Sequence, residues 1–155
     1  MMRVAPVRAR LLLIAPIRIG LGVALLCATF AGDTQSRSLV LGFVLGAIFV
    51  AFAALVDRRS LLLRGAQEPE PLPPSAVFDP YWRIAVTAAL PSTIGLAVLS
   101  VIAFAAGNEI LAALLAGAVA GLGIATVIGL VPLLAWERER AVRLYVGPHG
   151  RRFVA

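Results

Sequence analysis

Residues 8–56 and 83–131 overlay without a gap at a constant spacing of 75, and the helix-breaking and small residues coincide. Arg8 falls on Arg83, Pro16 on Pro91, and Ile19-Gly20-Leu21 on Ile94-Gly95-Leu96. Further along, Ala28 falls on Ala103, Gly32 on Gly107 and Asp33 on Asn108. Gly42 and Gly46 fall on Gly117 and Gly121, and Leu55-Val56 on Leu130-Val131. A chain rich in Ala and Leu matches itself at many positions by chance, but agreement at Gly and Pro is harder to obtain. Each copy holds two apolar stretches separated by a short break. The repeated unit is therefore a helical hairpin, and the chain is two of them in tandem.

The four apolar stretches span about 11–32, 38–56, 84–107 and 109–135. A helix of about 20 apolar residues crosses the hydrocarbon core of a bilayer. Spanning backbone must satisfy its own hydrogen bonds, so helices are expected rather than strands. The breaks at 33–37 and 107–109 are too short for anything but antiparallel turns. Composition agrees: 61% of residues are hydrophobic and 14% charged, against about 45–50% and about 25% for a soluble domain. The expected fold is an all-α integral membrane protein with four transmembrane helices. Both copies enter from the same side, which predicts a parallel repeat about a pseudo-twofold axis along the membrane normal.

Net charge is +6 and every basic residue except His149 is arginine. The arginines flank apolar stretches instead of gathering on a polar domain, which points to lipid headgroups and away from nucleic acid. Arg3, Arg8 and Arg10 precede the first stretch; Arg58, Arg59, Arg64 and Arg83 lie between the hairpins. Arg138, Arg140, Arg143, Arg151 and Arg152 follow the last, whereas the hairpin turns hold only Arg37. The positive-inside rule then places both termini and the central loop in the cytoplasm of a bacterial inner membrane. Tyr81, Trp82 and Trp136 stand where interfacial aromatics are expected. The organisation read in this way is a basic N-terminus (1–10), a first hairpin (11–56), a linker (57–83), a second hairpin (84–135) and a basic tail (136–155).

The linker contains Glu68-Pro69-Glu70-Pro71-Leu72-Pro73-Pro74, which cannot be helical and is expected to be extended. The tail, from Glu137-Arg138-Glu139-Arg140 onward, is expected to extend the last helix onto the membrane surface, with His149 exposed. An N-terminal basic run before an apolar stretch also fits a secretion signal. Arg18 within that stretch, and its internal copy, favour a retained helix. Cys27 follows Leu26 where a lipoprotein signal needs a small residue, and is expected to be a small buried hydrophobe.

Small residues recur every four positions at Gly20, Ala24, Ala28 and Gly32, at Gly42 and Gly46, and from Ala113 through Gly117, Gly121 and Ala125 to Gly129. Such ridges let helix backbones approach, so Gly20, Gly42, Gly46, Gly117, Gly121 and Gly129 are candidate packing positions. They serve contacts within the chain or with other subunits equally well.

Arg18 is the one charge well inside a helix, and an intramembrane charge costs about 2.5 kcal/mol or more unless it is relieved. It is expected to snorkel to the headgroups, to pair with Asp57, or to meet an anionic ligand. Its repeat mate is Thr93, beside Ser92 and Pro91, so Arg18, Asp57, Ser92 and Thr93 form the candidate polar site. Pro16 and Pro91 each remove a helix bond. Asn108 and Glu109 are expected to cap the last helix.

No His cluster, HExxH, GxSxG or phosphate-cradling loop occurs, and no carboxylate lies mid-helix. No cofactor or metal is implied, and a non-catalytic protein is expected. In outline, four helices from two glycine-rich hairpins resemble the proteolipid subunits of rotary ATPases. That family carries a carboxylate midway along an even-numbered helix, and here those positions, around Phe49 and Ile124, are apolar. The expected role is an accessory, assembly or structural subunit of a membrane complex, with lipids and other subunits or further copies as partners. The alternatives are a small channel or transporter with a path between the repeats, and a protein that handles anionic headgroups.

Overall fold

Backbone that bonds to itself within each apolar stretch gives long helices, and these dominate the chain, which is 75% helical. The computed structural model describes residues 2–31, 36–63, 70–147 and 152–155, with backbone alone at 2, 57–63, 81–82 and 84–91. The helices are α1 (Val7–Thr29), α2 (Ser36–Leu63), α3 (Tyr81–Ala105) and α4 (Glu109–Arg140). Three are long and apolar enough to cross a membrane: α1, α2 over Ser36–Val56, and α4. In α3 the apolar helix among the described residues is Ser92–Ala105. At about 1.5 Å per residue, the 23 residues of α1 extend about 34 Å, enough for a hydrocarbon core of about 30 Å.

The turn between α3 and α4 is written in two residues. Gly107 takes φ +76°, a left-handed conformation that only glycine enters without a Cβ penalty. Its N–H donates to Phe104 O and that of Asn108 donates to Ala103 O, both at 2.9 Å, closing α3. Asn108 Oδ1 then accepts from Leu111 N–H at 3.1 Å and caps α4, as expected.

α4 is the central helix because small residues line more than one of its faces. One face packs α2 in parallel. A Cβ at Gly117 would run into the carbonyl oxygen of Phe43, one at Gly121 into that of Ala47, and one at Gly46 into that of Leu114. Gly42 completes the series 3.2 Å from Ile110 O. Glycines of each helix thus face carbonyls of the other, where Cα–H···O contacts worth about 0.5–1 kcal/mol each collect. A second face carries Ala112, Ala116, Ala120 and Gly123 and packs antiparallel against α1. There a Cβ on Gly22 would come within 2.8 Å of Ala116 O, and one on Gly123 within 3.0 Å of Ala15 O. α3 closes on α4 through Ser100 Oγ, which donates to Ala112 O at 2.8 Å in a buried position.

This packing corrects two expectations. Gly20 has no atom within 4 Å of a Cβ built on it, so the Gly20-Ala24-Ala28 ridge faces outward, and Gly22 makes the close approach instead. Cys27 on the same outward side is exposed, not buried. The helix contacts also do not follow an exact pseudo-twofold. An exact axis would give α2 and α3 the contact that α4 and α1 make, yet among the described residues no comparable contact exists. The reason is in the sequence. Ala116, Ala120 and Gly123 correspond, 75 residues earlier, to Leu41, Leu45 and Ile48, and these are 59%, 54% and 61% exposed. Bulky side chains cover that face of α2 where small ones let α4 meet α1.

The remaining segments form a sheet, which the all-α expectation lacked. Its strands are β1 (Met2–Pro6), β2 (Glu70–Pro71), β3 (Ala76–Phe78), β4 (Leu144–Val146) and β5 (Arg152–Val154), in the order β2-β5-β4-β1-β3. β1 lies parallel to β3, with Arg3 opposite Val77, and antiparallel to β4, with Ala5 opposite Val146. β5 is antiparallel to β4 and parallel to β2, with Glu70 opposite Phe153. Val4 and Phe153 are buried and the Phe78 and Tyr145 rings pack 5.6 Å apart. The tail therefore continues the helix through Arg140, as expected, and turns to strand beyond it. α4 stops at Ala141, whose φ of 51° ends the helical run, and Glu137 Oε1 accepts from Leu144 N–H at 3.0 Å to start β4.

β1 runs directly into α1, and β3 runs into α3 after two residues. The strand pairing, the preceding prolines Pro6 and Pro80, and the helix starts Val7 and Tyr81 all lie 74 residues apart. This strand-to-helix spacing is one residue out of step with the helical spacing of 75. The N-terminal segment, the linker and the tail meet at one end of the helices.

Candidate functional site: a polar cluster at mid-span

Two adjacent strand–helix units of matching length bring equivalent positions level with each other. Arg18 is at the midpoint of the 23 residues of α1, and Thr93 is at the midpoint of the 25 residues of α3. Arg18 Nε donates to Thr93 Oγ1 at 3.0 Å, and its Nη2 donates to Ser92 Oγ at 3.2 Å. The two repeat mates at the spacing of 75 therefore touch. Thr93 is buried at 3% exposure, Arg18 is half-buried, and Ser92 is exposed.

A guanidinium only donates and a hydroxyl oxygen accepts, so Ser92 and Thr93 are suited to this neighbour. Bonds from an ionised donor are roughly twice as strong as neutral ones. Polar atoms are thus available to Arg18 at its own level on the next helix. The cluster is held from both sides, because α1 is locked to α4 at Gly22 and Gly123 while α3 is locked to α4 through Ser100.

The structure thus joins three of the four expected polar residues. The fourth, Asp57, is in the last part of α2, and the expected Arg18–Asp57 pair falls on a side chain outside the described residues. The helices continue through Pro16 and Pro91. Pro16 is exposed, so α1 places its interrupted turn on the outer surface. Of the candidate packing glycines, Gly42, Gly46, Gly117 and Gly121 seat α2 on α4, Gly129 is half-buried, and Gly20 faces open space. His149 lies outside the described residues.

Several residues escaped the sequence reading. Gly22 and Gly123 have Ala97 and Ile48 at the spacing of 75, so the internal match does not mark them. Thr126 is buried and its hydroxyl donates to Leu122 O at 2.7 Å in its own helix. At the sheet, Arg3 Nη1 lies 3.7 Å from Asp79 Oδ1, and Asp79 N–H donates to Val4 O at 3.0 Å, tying β1 to the start of α3. No group of three His, Cys, Asp or Glu side chains able to hold a metal occurs among the described residues. Compared with protein families, with curated proteins and with solved structures, the chain matches none.

Proposed function

We propose that this chain is a four-span bacterial inner-membrane protein, with its sheet and both termini in the cytoplasm. Its role is that of a non-catalytic accessory or assembly subunit of a larger membrane complex. The observation that supports this best is the exposure of Ser92, beside half-buried Arg18, in the polar cluster at mid-span. A charge at the centre of a bilayer costs about 2.5–3.5 kcal/mol on insertion scales, and that cost falls when protein covers it. Interhelical polar contacts of this kind join transmembrane helices. A neighbouring membrane chain seated on the α1–α3 edge would cover Ser92.

The same cluster supports a second reading, a small channel or transporter whose hydrated path follows Arg18, Ser92 and Thr93. Extraction of the tagged full chain from its native membrane in mild detergent separates the two. The subunit reading predicts a stoichiometric partner chain, lost with Arg18→Ala while helix content is retained. A clean preparation of this chain alone that conducts solute in liposomes supports the second reading and sinks the first.

A further inference from the structure

The sheet gathers three basic segments, far apart in sequence, at the end where α1 and α3 begin and α4 ends. Arg8 and Arg10 lie in the opening turns of α1, Arg83 in the first turn of α3, and Arg138 and Arg140 in the last turn of α4. α1 packs on both α3 and α4, so these helix ends are neighbours. Arg8, Arg83, Arg138 and Arg140 are exposed, and Arg10 is half-buried. Arg140 stacks over the Trp136 ring, 4.9 Å from its centroid.

We propose that this ring of arginines binds the phosphate groups of anionic glycerophospholipids in the leaflet on the sheet side. The inference rests on the chain spanning a membrane, not on its being a subunit. Two observations select lipid phosphate over other anions. The arginines sit at the helix ends, where a hydrocarbon core of about 30 Å gives way to headgroups. The indole of Trp136 joins them at the level that interfacial aromatics occupy. Of the carboxylates beside them in sequence, Glu137 accepts from Leu144 N–H, and Glu139 is exposed between Arg138 and Arg140. Guanidinium groups meet phosphate with two parallel hydrogen bonds, which suits a fixed headgroup better than a diffuse counter-ion. Arg8 and Arg83 also stand at helix N-termini, where the macrodipole opposes a cation, so their positions are poor for helix stability and good for an external anion.

The test uses the full chain in neutral detergent, with phosphatidylglycerol, phosphatidylcholine of the same acyl chains, and inorganic phosphate as probes. Bound lipid is read by native mass spectrometry and stability by Tm. A basic residue near an anionic surface contributes about fivefold in affinity. The expected result is preferential retention of phosphatidylglycerol, lowered roughly 25-fold in Arg138→Gln/Arg140→Gln, with phosphatidylcholine unaffected. Equal retention of both lipids, or a preference that survives both this variant and Arg8→Gln/Arg10→Gln, overturns the proposal. So does an equal rise in Tm with inorganic phosphate, which makes the ligand a free anion. If a variant loses its helix content, the wild-type chain decides: the preference must fall as salt rises from about 50 to about 500 mM, and a salt-independent preference overturns the proposal. A chain that stays in solution without detergent refutes the membrane reading itself.

Discussion

Gly117→Ala is the sharpest perturbation of the helix packing. The added Cβ would run into the carbonyl oxygen of Phe43 and stand 2.9 Å from its Cα. Both atoms are backbone, so no rotamer change makes room and α2 has to move as a body. A gap of 0.5–1 Å forfeits about a quarter to a half of each van der Waals well. The four glycine–carbonyl contacts of this interface, at Gly42, Gly46, Gly117 and Gly121, weaken together; each is worth about 0.5–1 kcal/mol. Their partial loss costs about 1–2 kcal/mol, and overpacking adds about 1–3 kcal/mol. The better helix propensity of Ala returns about 0.5–1 kcal/mol. The net expectation is destabilisation by about 1–4.5 kcal/mol. Gly95→Ala is the internal reference: a Cβ there meets nothing within 4 Å, so the propensity gain stands alone. Unfolding by a graded rise in SDS in mixed micelles, followed by tryptophan fluorescence and far-UV circular dichroism, measures both. Equal effects of the two substitutions would refute the close-packed α2–α4 interface.

Thr93→Val removes the buried acceptor of Arg18 Nε and should cost about 1.5–3 kcal/mol, whereas Thr93→Ser, which keeps the hydroxyl, should stay within about 1 kcal/mol in the same titration. Ala141→Gly relieves a left-handed alanine at the end of α4 and should raise stability by about 1 kcal/mol, read as a higher Tm; no change would show that the α4-to-β4 junction opens independently of the helices. Asn108→Ala removes the cap of α4 and should cost about 1 kcal/mol by the same Tm measurement.

The helices were legible because apolar runs long enough to cross a bilayer have one solution, backbone bonded within each run. The turn at Gly107 and Asn108 was legible for a similar reason, since a left-handed glycine followed by a capping side chain is a local signal. The pairing of Gly42 and Gly46 with Gly117 and Gly121 was visible as a ridge, but which ridge is buried is a tertiary matter. Gly20 has the same spacing and faces outward, because Gly22 and Gly123 settle where α1 meets α4. The sheet was hidden for another reason. Its strands are two to five residues long and contain Pro6 and Pro71, so no alternation announces them. They exist because the helices hold their ends together. Within the candidate site, Arg18 stood out as a charge in an apolar run, and Thr93 emerged as its repeat mate. That the two touch follows only from the side-by-side placement of α1 and α3.

The most direct measurement of the architecture is sided labelling of single cysteines in a Cys27→Ala background, in intact cells and in inverted vesicles. Arg3→Cys, Val77→Cys and Val154→Cys report the three segments that meet in the sheet, and Asn108→Cys reports the α3–α4 turn. The account predicts that the first three react only in inverted vesicles and that Asn108→Cys reacts only in intact cells. Reaction of Arg3→Cys and Val77→Cys from opposite sides, or of Asn108→Cys from the side of the sheet, would contradict it.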